Sequence, residues 1–309
     1  MDKKSKYERE DYVHSANSLF HFMTNSKYLD DALKRKALCP RYCNENVEYL
    51  NIQNGGEKYG EVSILQKCFC DIPLSSIIKP FPVKLTENNE LTDKQKKSIP
   101  ETYSHTDLYG KYAIAFAKEW GEKNRIQPIQ YLNQDAACAR NYSEAIKASL
   151  VETDIPDVVA DSLLGMLCYC KPLRGTMKRR HKTSSDSFEI EIFKNFHDEH
   201  EWRHVPFGAI INQTELSCVI ANRNILVQKD TILDNMSNRL EDIKYQQTWL
   251  KYQYEDIRYI IVPDNEGRIE TIRTILSLDE GLFDKGETDI QKSLLISKIT
   301  VLDDIVKDN

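Results

Sequence analysis

The segment Cys68–Phe69–Cys70–Asp71–Ile72–Pro73 sets two thiols and a carboxylate within four positions, and Cys168 and Cys170 repeat the thiol spacing later in the chain. Four thiolates can hold zinc, but zinc knuckles usually place two to four residues between paired ligands, whereas CxC in a strand spreads its sulfurs along one face. Unligated, buried cysteines are therefore the expectation, and no metal is assigned. HDEHEWRH gathers His197, His200 and His204 at spacings that need a helix to converge on an ion, yet the preceding FEIEIF alternates as a strand, so each histidine reads singly as a surface residue. Between them stand Glu201 and Arg203. A glutamate in an aromatic-lined cleft can orient a sugar hydroxyl or stabilise cationic charge on a sugar carbon, while an arginine can pair with a carboxylate or an anion. The competing reading is a structural ion pair in an edge strand, and local sequence favours it.

Lys178 to Lys182, KRRHK, is the one dense basic run. Serine, threonine and glycine flank it rather than interleaved aromatics, so a solvated loop comes first and the phosphates of RNA, DNA or a dinucleotide second. GxSxG, HExxH and the phosphate-cradling Walker loop are absent, and Gly55 and Gly56 of GGEKYG read as a turn.

These residues need elements to position them. SLFHFM leads as an apolar run into a helix over KYLDDALKRKAL, capped by Asn25 or Ser26 and stopped at Pro40, with His21 at the end of the preceding strand. CPRYCNENVEYL then leads away as a loop or irregular edge. EVSILQKCFCDIP reads as a strand with Cys68 and Cys70 on one face and Phe69 and Asp71 on the other. Residues 76–104 are read as a surface loop or flap, Tyr112 to Phe116 as a strand, and residues 136–170 as a helical insertion. KPLRGTMKRRHKTSS reads as a basic linker before the strand FEIEIFKNF, a polar helix follows around Lys229 to Gln247, and YEDIRYIIVPDNEGRIETIRTIL reads strand, turn, helix. SLLISKITVLDDIVK closes with a strand and a short helix.

The 309 residues suffice for one composite α+β domain with a mixed, strand-centred core and peripheral or inserted helices. A net charge of −6 gives no global pull toward nucleic acid or anionic lipid. Without a long apolar window, and with a polar leader MDKKSKYEREDY, the expectation is a cytoplasmic protein that does not enter the membrane and keeps its eight cysteines as thiols.

Four segments, LFHFMTNSKYLDDALKRKALCPRYCNE, CFCDIPLS, HTDLYGKYAIAFAKEWGEKNRIQPIQYLN and DEHEWRHVPFG, resemble in order and wording the AbiGi-type abortive phage-resistance family, and YEDIRYIIV and LISKITVLDD resemble its tail. The resemblance spans most of the chain and is least distinctive between about Ala136 and Thr183. It implies a bacterial phage-defence protein, the antitoxin side of a pair with a cognate toxin protein. HFMTNSKYLDDALKRKAL is also distantly similar to the entry of ADP-ribosyltransferase folds, although Ala37 stands where that pattern commonly has glycine. That likeness implies NAD as cofactor. His21 would contact the adenosine ribose, Thr24 would support the turn, Tyr109 or Tyr112 would stack on nicotinamide, and Glu201 would act as the catalytic glutamate. Arg41 or Arg203 would neutralise the pyrophosphate, and Asp71 and His105 would stand as site wall, with Asp71 fixing the strand exit or facing His105 and Arg203. Two classes stay open, an interaction protein of phage defence and an NAD-dependent ADP-ribosyltransferase acting on a protein or nucleic-acid acceptor.

Overall fold

A computed structural model describes residues 16–54, 56–151, 156–184, 186–206, 216–221, 226 and 229–307. The strands that matter for the site are, in chain order, β1 (Ser18–Met23), β2 (Arg41–Asn46), β3 (Glu61–Cys70), β4 (Tyr112–Ala117), β5 (Gln127–Pro128), β6 (Cys170–Pro172), β7 (Arg174–Lys182), β8 (Ser187–Asn195), β9 (Glu201–His204), β10 (Ile257–Val262) and β11 (Ile299–Val301). Among the described residues the main sheet runs β5-β9-β3-β1-β4-β10-β11, and β2 and Val219–Ile220 pair with the first half of β3. Its pairs are antiparallel except β10 with β11. That parallel pair needs a crossover, supplied by α5 (Asn265–Leu276) and α6 (Thr288–Ile296), named here after α1 (Ser26–Arg35), α2 (His105–Tyr109), α3 (Ala137–Val151) and α4 (Asp157–Leu167).

The centre of the sheet is covered on both faces, which is why its strands lack a clean polar alternation. Along β4, Ile114 and Phe116 enter one apolar cluster with Leu29, Leu33, Phe69 and Trp120, while Ala113 and Ala115 enter another with Phe20, Ile72 and Ile77. Phe116 stacks on Trp120 at a centroid distance of 4.1 Å. α1 begins where the sequence places it, with the Asn25 side chain accepting from the Lys27 N–H at 2.9 Å. Lys36, at φ 49°, ends it, its N–H donating to the Ala32 and Leu33 carbonyls, and the hydroxyls of Tyr252 and Tyr254 donate to the same two carbonyls.

Four readings change. RYCNEN is a strand rather than a loop, because its polar residues run along β3 from Arg41 opposite Gln66 to Asn46 opposite Glu61. KRRHK is not a linker: it lies in β7, whose full length pairs with β8 in a hairpin. Ile190 and Ile192 dock that hairpin onto Tyr103 and Leu108 beside α2. Residues 76–104 carry structure of their own, a Phe81–Pro82 pairing with Thr102–Tyr103, a Lys84–Leu85 strand joined to β8, and a helix Asp93–Ser98 closed by a Thr92–Gln95 capping box. The polar helix near residue 229 ends at Arg239, and Asp242 then caps a separate 3-10 turn, Ile243–Thr248. Within 136–170 the chain forms α3 and α4.

Candidate functional site

Pairing of β9 with β3 sets Glu201 opposite Cys70 and Arg203 opposite Cys68, so both charged side chains emerge on the face that carries the two thiols. There they meet charges from four other segments. Arg203 Nε donates to Glu201 Oε1 at 2.6 Å, Nη2 to Glu45 Oε1 at 2.8 Å and Nη1 to the Cys168 carbonyl at 2.9 Å. Lys171 Nζ lies 3.0 Å from both Glu199 Oε2 and Glu201 Oε2, and Lys194 Nζ lies 2.6 Å from Glu199 Oε1. The Tyr109 hydroxyl donates to Glu199 and accepts from Lys194 at 2.8 Å. Three carboxylates thus meet three cations, and Arg203 is fully buried.

Burial alone would raise both inner carboxyls. Lys171 and Lys194 overcome it at Glu199, which is held at about 2, and Arg203 and Lys171 hold Glu201 far below the ordinary carboxylate range. The cations respond in kind: burial works against the charge on Lys171 and Arg203, but their glutamates drive both pKa values well up. Burial, then the facing Glu199, pushes the Tyr109 phenol well up, so it stays a neutral donor. The arrangement is a closed electrostatic framework that ties β2, β6, β8 and β9 together.

A cavity of about 540 Å³ opens against this framework, with His21, Cys68, Tyr109, Lys171, Glu199 and Glu201 in its wall. A smaller one of about 290 Å³ adjoins it, sharing His21, Phe22, Cys43, Gln66, Cys68 and Tyr109 and adding Thr24, Arg41 and Lys67. A third, of about 800 Å³, contains Asp71, His105, Lys194 and Glu199. His21 Nδ1 lies 2.9 Å from the Cys68 carbonyl, and burial followed by the charge of Lys67 lowers its pKa to about 3. His105 sits between Phe22 and Tyr109 at centroid distances of 4.7 and 4.6 Å, with Nε2 3.2 Å from Cys70 Sγ. Burial and then Lys194 bring it to about 3 as well.

A family model described as abortive phage resistance protein AbiGi, antitoxin, matches residues 95–263. A protein of Lactococcus lactis subsp. cremoris named abortive phage resistance protein AbiGi is 33% identical over 283 residues, spanning 88% of this chain and 99% of that protein. The chain belongs to the AbiGi family. No solved structure matches it. Of the six charged groups in the framework, the stretch that matches the AbiGi family model contains Lys171, Lys194, Glu199, Glu201 and Arg203, and Glu45 precedes it.

Of the residues singled out in the sequence, the structure brings His21, Tyr109 and Glu201 to one cavity and His21, Thr24, Arg41 and Tyr109 to its neighbour. Tyr112 goes elsewhere, packing against the main core beside α1. Arg203 is fully buried, with its donors taken by Glu201, Glu45 and the Cys168 carbonyl. Its strand lies between β5 and β3 rather than at a sheet edge. Asp71 ion-pairs with Lys118, not Arg203, and its N–H donates to the His200 carbonyl at 3.0 Å. Arg41 is shared among Asn238, Asp234 and Glu241. Among the histidines, His197 and His200 are exposed, but burial lowers His204 to about 4. No group of three or more His, Cys, Asp or Glu among the described residues is placed to hold a metal. No described helix is long and apolar enough to cross a membrane.

In KRRHK, Arg180 faces Glu189 and Lys178 faces Glu191 across the hairpin, so two of its three exposed cations have carboxylates opposite them. Arg179 instead lies 5.2 Å above the Tyr103 ring. The residues that sequence reasoning passes over are Glu45, Gln66, Lys67, Lys171, Lys194 and Glu199. For Lys194 a signal exists: alternation in FEIEIFKNF sets it on the same face as Ile190 and Ile192, where an unpaired charge is costly.

Proposed function

We propose that this chain is the antitoxin of an abortive-infection pair, acting in the cytoplasm and holding a cognate toxin protein in check by contact rather than catalysis. The observation that carries the reading is the commitment of Glu201. It is buried, with one oxygen bonded to Arg203 and the other 3.0 Å from Lys171. A carboxylate held this way stays ionised, but it reaches a ligand only by abandoning cations whose isolation in the interior would be costly. The family description as antitoxin supports the same assignment. The test is co-expression with the toxin encoded at the same locus, scored by growth and by co-purification. Growth rescue by both the wild type and a folded Glu201→Gln variant is expected. Failure of the wild type to rescue or bind would overturn the antitoxin reading, and loss of rescue by a Glu201→Gln variant that still captures the toxin would overturn contact as the mechanism.

One observation favours a second reading, NAD-dependent ADP-ribosyl transfer: His21, Tyr109 and Glu201 share the cavity of about 540 Å³. Calorimetric titration with NAD, with mass spectrometry for released nicotinamide and Glu201→Ala alongside, separates the two. Release that depends on Glu201 supports transfer, and a folded chain that neither binds NAD nor releases nicotinamide removes it.

A further inference from the structure

The cations of the β7–β8 hairpin divide into two groups. Toward its turn, Lys178 and Arg180 stand opposite Glu191 and Glu189. At its base, Arg174 stands opposite Asn195, and Phe193, two residues earlier on β8, stands opposite Lys84 of the edge strand Lys84–Leu85. Directly opposed residues share a face of a sheet, and so do residues two apart on one strand. Lys84, Phe193, Asn195 and Arg174 are therefore one row across a three-stranded face, the reverse of the face through which Ile190 and Ile192 dock on Tyr103 and Leu108. All four line the cavity of about 800 Å³, where Lys79 joins them.

Other charges in that cavity are already neutralised, Asp71 by Lys118 and Glu199 by Lys171 and Lys194. What remains is Lys79, Lys84 and Arg174, three exposed cations with no ion-pair partner among the described residues, against one carboxylate, Asp198, which accepts from Asn195 at 2.9 Å. In the row between Lys84 and Arg174, Phe193 leaves 45% of its surface to solvent. An exposed lysine or phenylalanine alone says nothing. Their order in the row does: the edge strand and β7 lie two strand spacings apart, roughly 10 Å, with the ring between them. A single anion held by both cations would have to sit over the apolar ring. A nucleic-acid strand avoids that conflict, because each of its bases offers a π-face to an aromatic side chain and is flanked by phosphates on both sides. We infer that this face binds single-stranded nucleic acid, with one base stacked on Phe193, the flanking phosphates at Lys84 and Arg174, and a further phosphate at Lys79. The chain's net charge of −6 gives no general attraction, so binding is confined to this patch and falls with salt. The inference does not rest on the antitoxin reading and is tested without a toxin.

The experiment is fluorescence anisotropy of the full chain with labelled oligo-U RNA and oligo-dT DNA of about ten nucleotides, at several salt concentrations, with a DNA duplex and UMP as competitors. The single strands bind, with the ratio of the two telling RNA from DNA, and the duplex, whose bases are already stacked, and UMP compete far more weakly. Arg174→Gln and Lys84→Gln each weaken binding and reduce the salt slope by about 0.7. Phe193→Leu weakens it by about fivefold or more with the slope unchanged, since it removes the stacking ring and no charge. Asp198→Asn, which removes the one unneutralised carboxylate, tightens it, and Lys285→Gln, an exposed cation outside the cavity, leaves it alone. Every substituted side chain is exposed, so melting temperatures stay at the wild-type value and lost binding is not lost folding. No binding by the folded wild type would overturn the proposal, as would a duplex or UMP that competes as well as the single strand, or Phe193→Leu and Arg174→Gln variants that bind like the wild type.

Discussion

Replacing Arg203 with methionine tests the framework where it is most closed. The guanidinium is fully buried and touches Glu201, Glu45 and the Cys168 carbonyl, so its removal leaves the three carboxylates of the framework facing only two cations. Lys171 still serves Glu201, but among the framework cations Glu45 has only Arg203. Breaking a buried pair from one side costs about 3–5 kcal/mol, a large share of the roughly 5–15 kcal/mol by which a domain is stable. Arg203→Met combined with Glu201→Leu should behave differently. It leaves Glu45 and Glu199 against Lys171 and Lys194, a balanced set, and so should recover on the order of 1–3 kcal/mol of the loss. The assay is urea unfolding of wild type, both single variants and the double variant, read by far-ultraviolet circular dichroism at pH 7. An Arg203→Met cost below about 1 kcal/mol, or a double variant whose cost equals the sum of the singles, would refute the account of a coupled, charge-balanced network.

Acid should destabilise the fold in two stages. His21 and His105 titrate at about 3 in the folded chain against an ordinary 6.5, so the unfolded chain takes up protons first and stability falls as pH drops below about 6.5. Glu199, held at about 2 against 4.5, adds a second loss below about 4.5, and Glu201 acts in the same direction. Urea midpoints that stay level from pH 7 to 5 would contradict the first stage, and a Glu199→Gln variant should flatten the second. Gly110→Ala should unfold or precipitate the chain, since φ is +116° and an added Cβ would sit 2.1 Å from the Met23 carbonyl oxygen. Gly286→Ala, at φ +85° with nothing within 4 Å of the new methyl, should cost only about 1 kcal/mol, and comparing the two melting temperatures isolates the clash.

Elements announced by local chemistry were legible in the sequence. Asn25 and the KYLDDAL spacing give α1, alternation gives β8, and YEDIRYIIVPDNEGRIETIRTIL gives β10, a turn and α5. β2 and β7 were not, because RYCNEN and KRRHK are polar and become strands through their partners, β3 and β8. The site was half legible for the same reason. Glu201 and Arg203 stand two apart in a strand and can be read as one face, but Glu45, Lys171 and Glu199 reach them only through folding. Tyr109 and Tyr112 are equivalent in the sequence. The turn at Gly110 separates them, leaving Tyr109 on α2 beside the cavity and Tyr112 on β4 beside the core.

The charges against the cavity of about 540 Å³ form a complete set, and that completeness marks them as scaffold. In the framework each cation has its carboxylate, so a ligand entering that cavity meets a surface that must be broken before it can be used. Gln66 Oε1, by contrast, is a buried acceptor with no donor among the described residues, and the fold bears its desolvation cost. Arg203→Met therefore lowers the melting temperature through a group whose donors are committed within the fold.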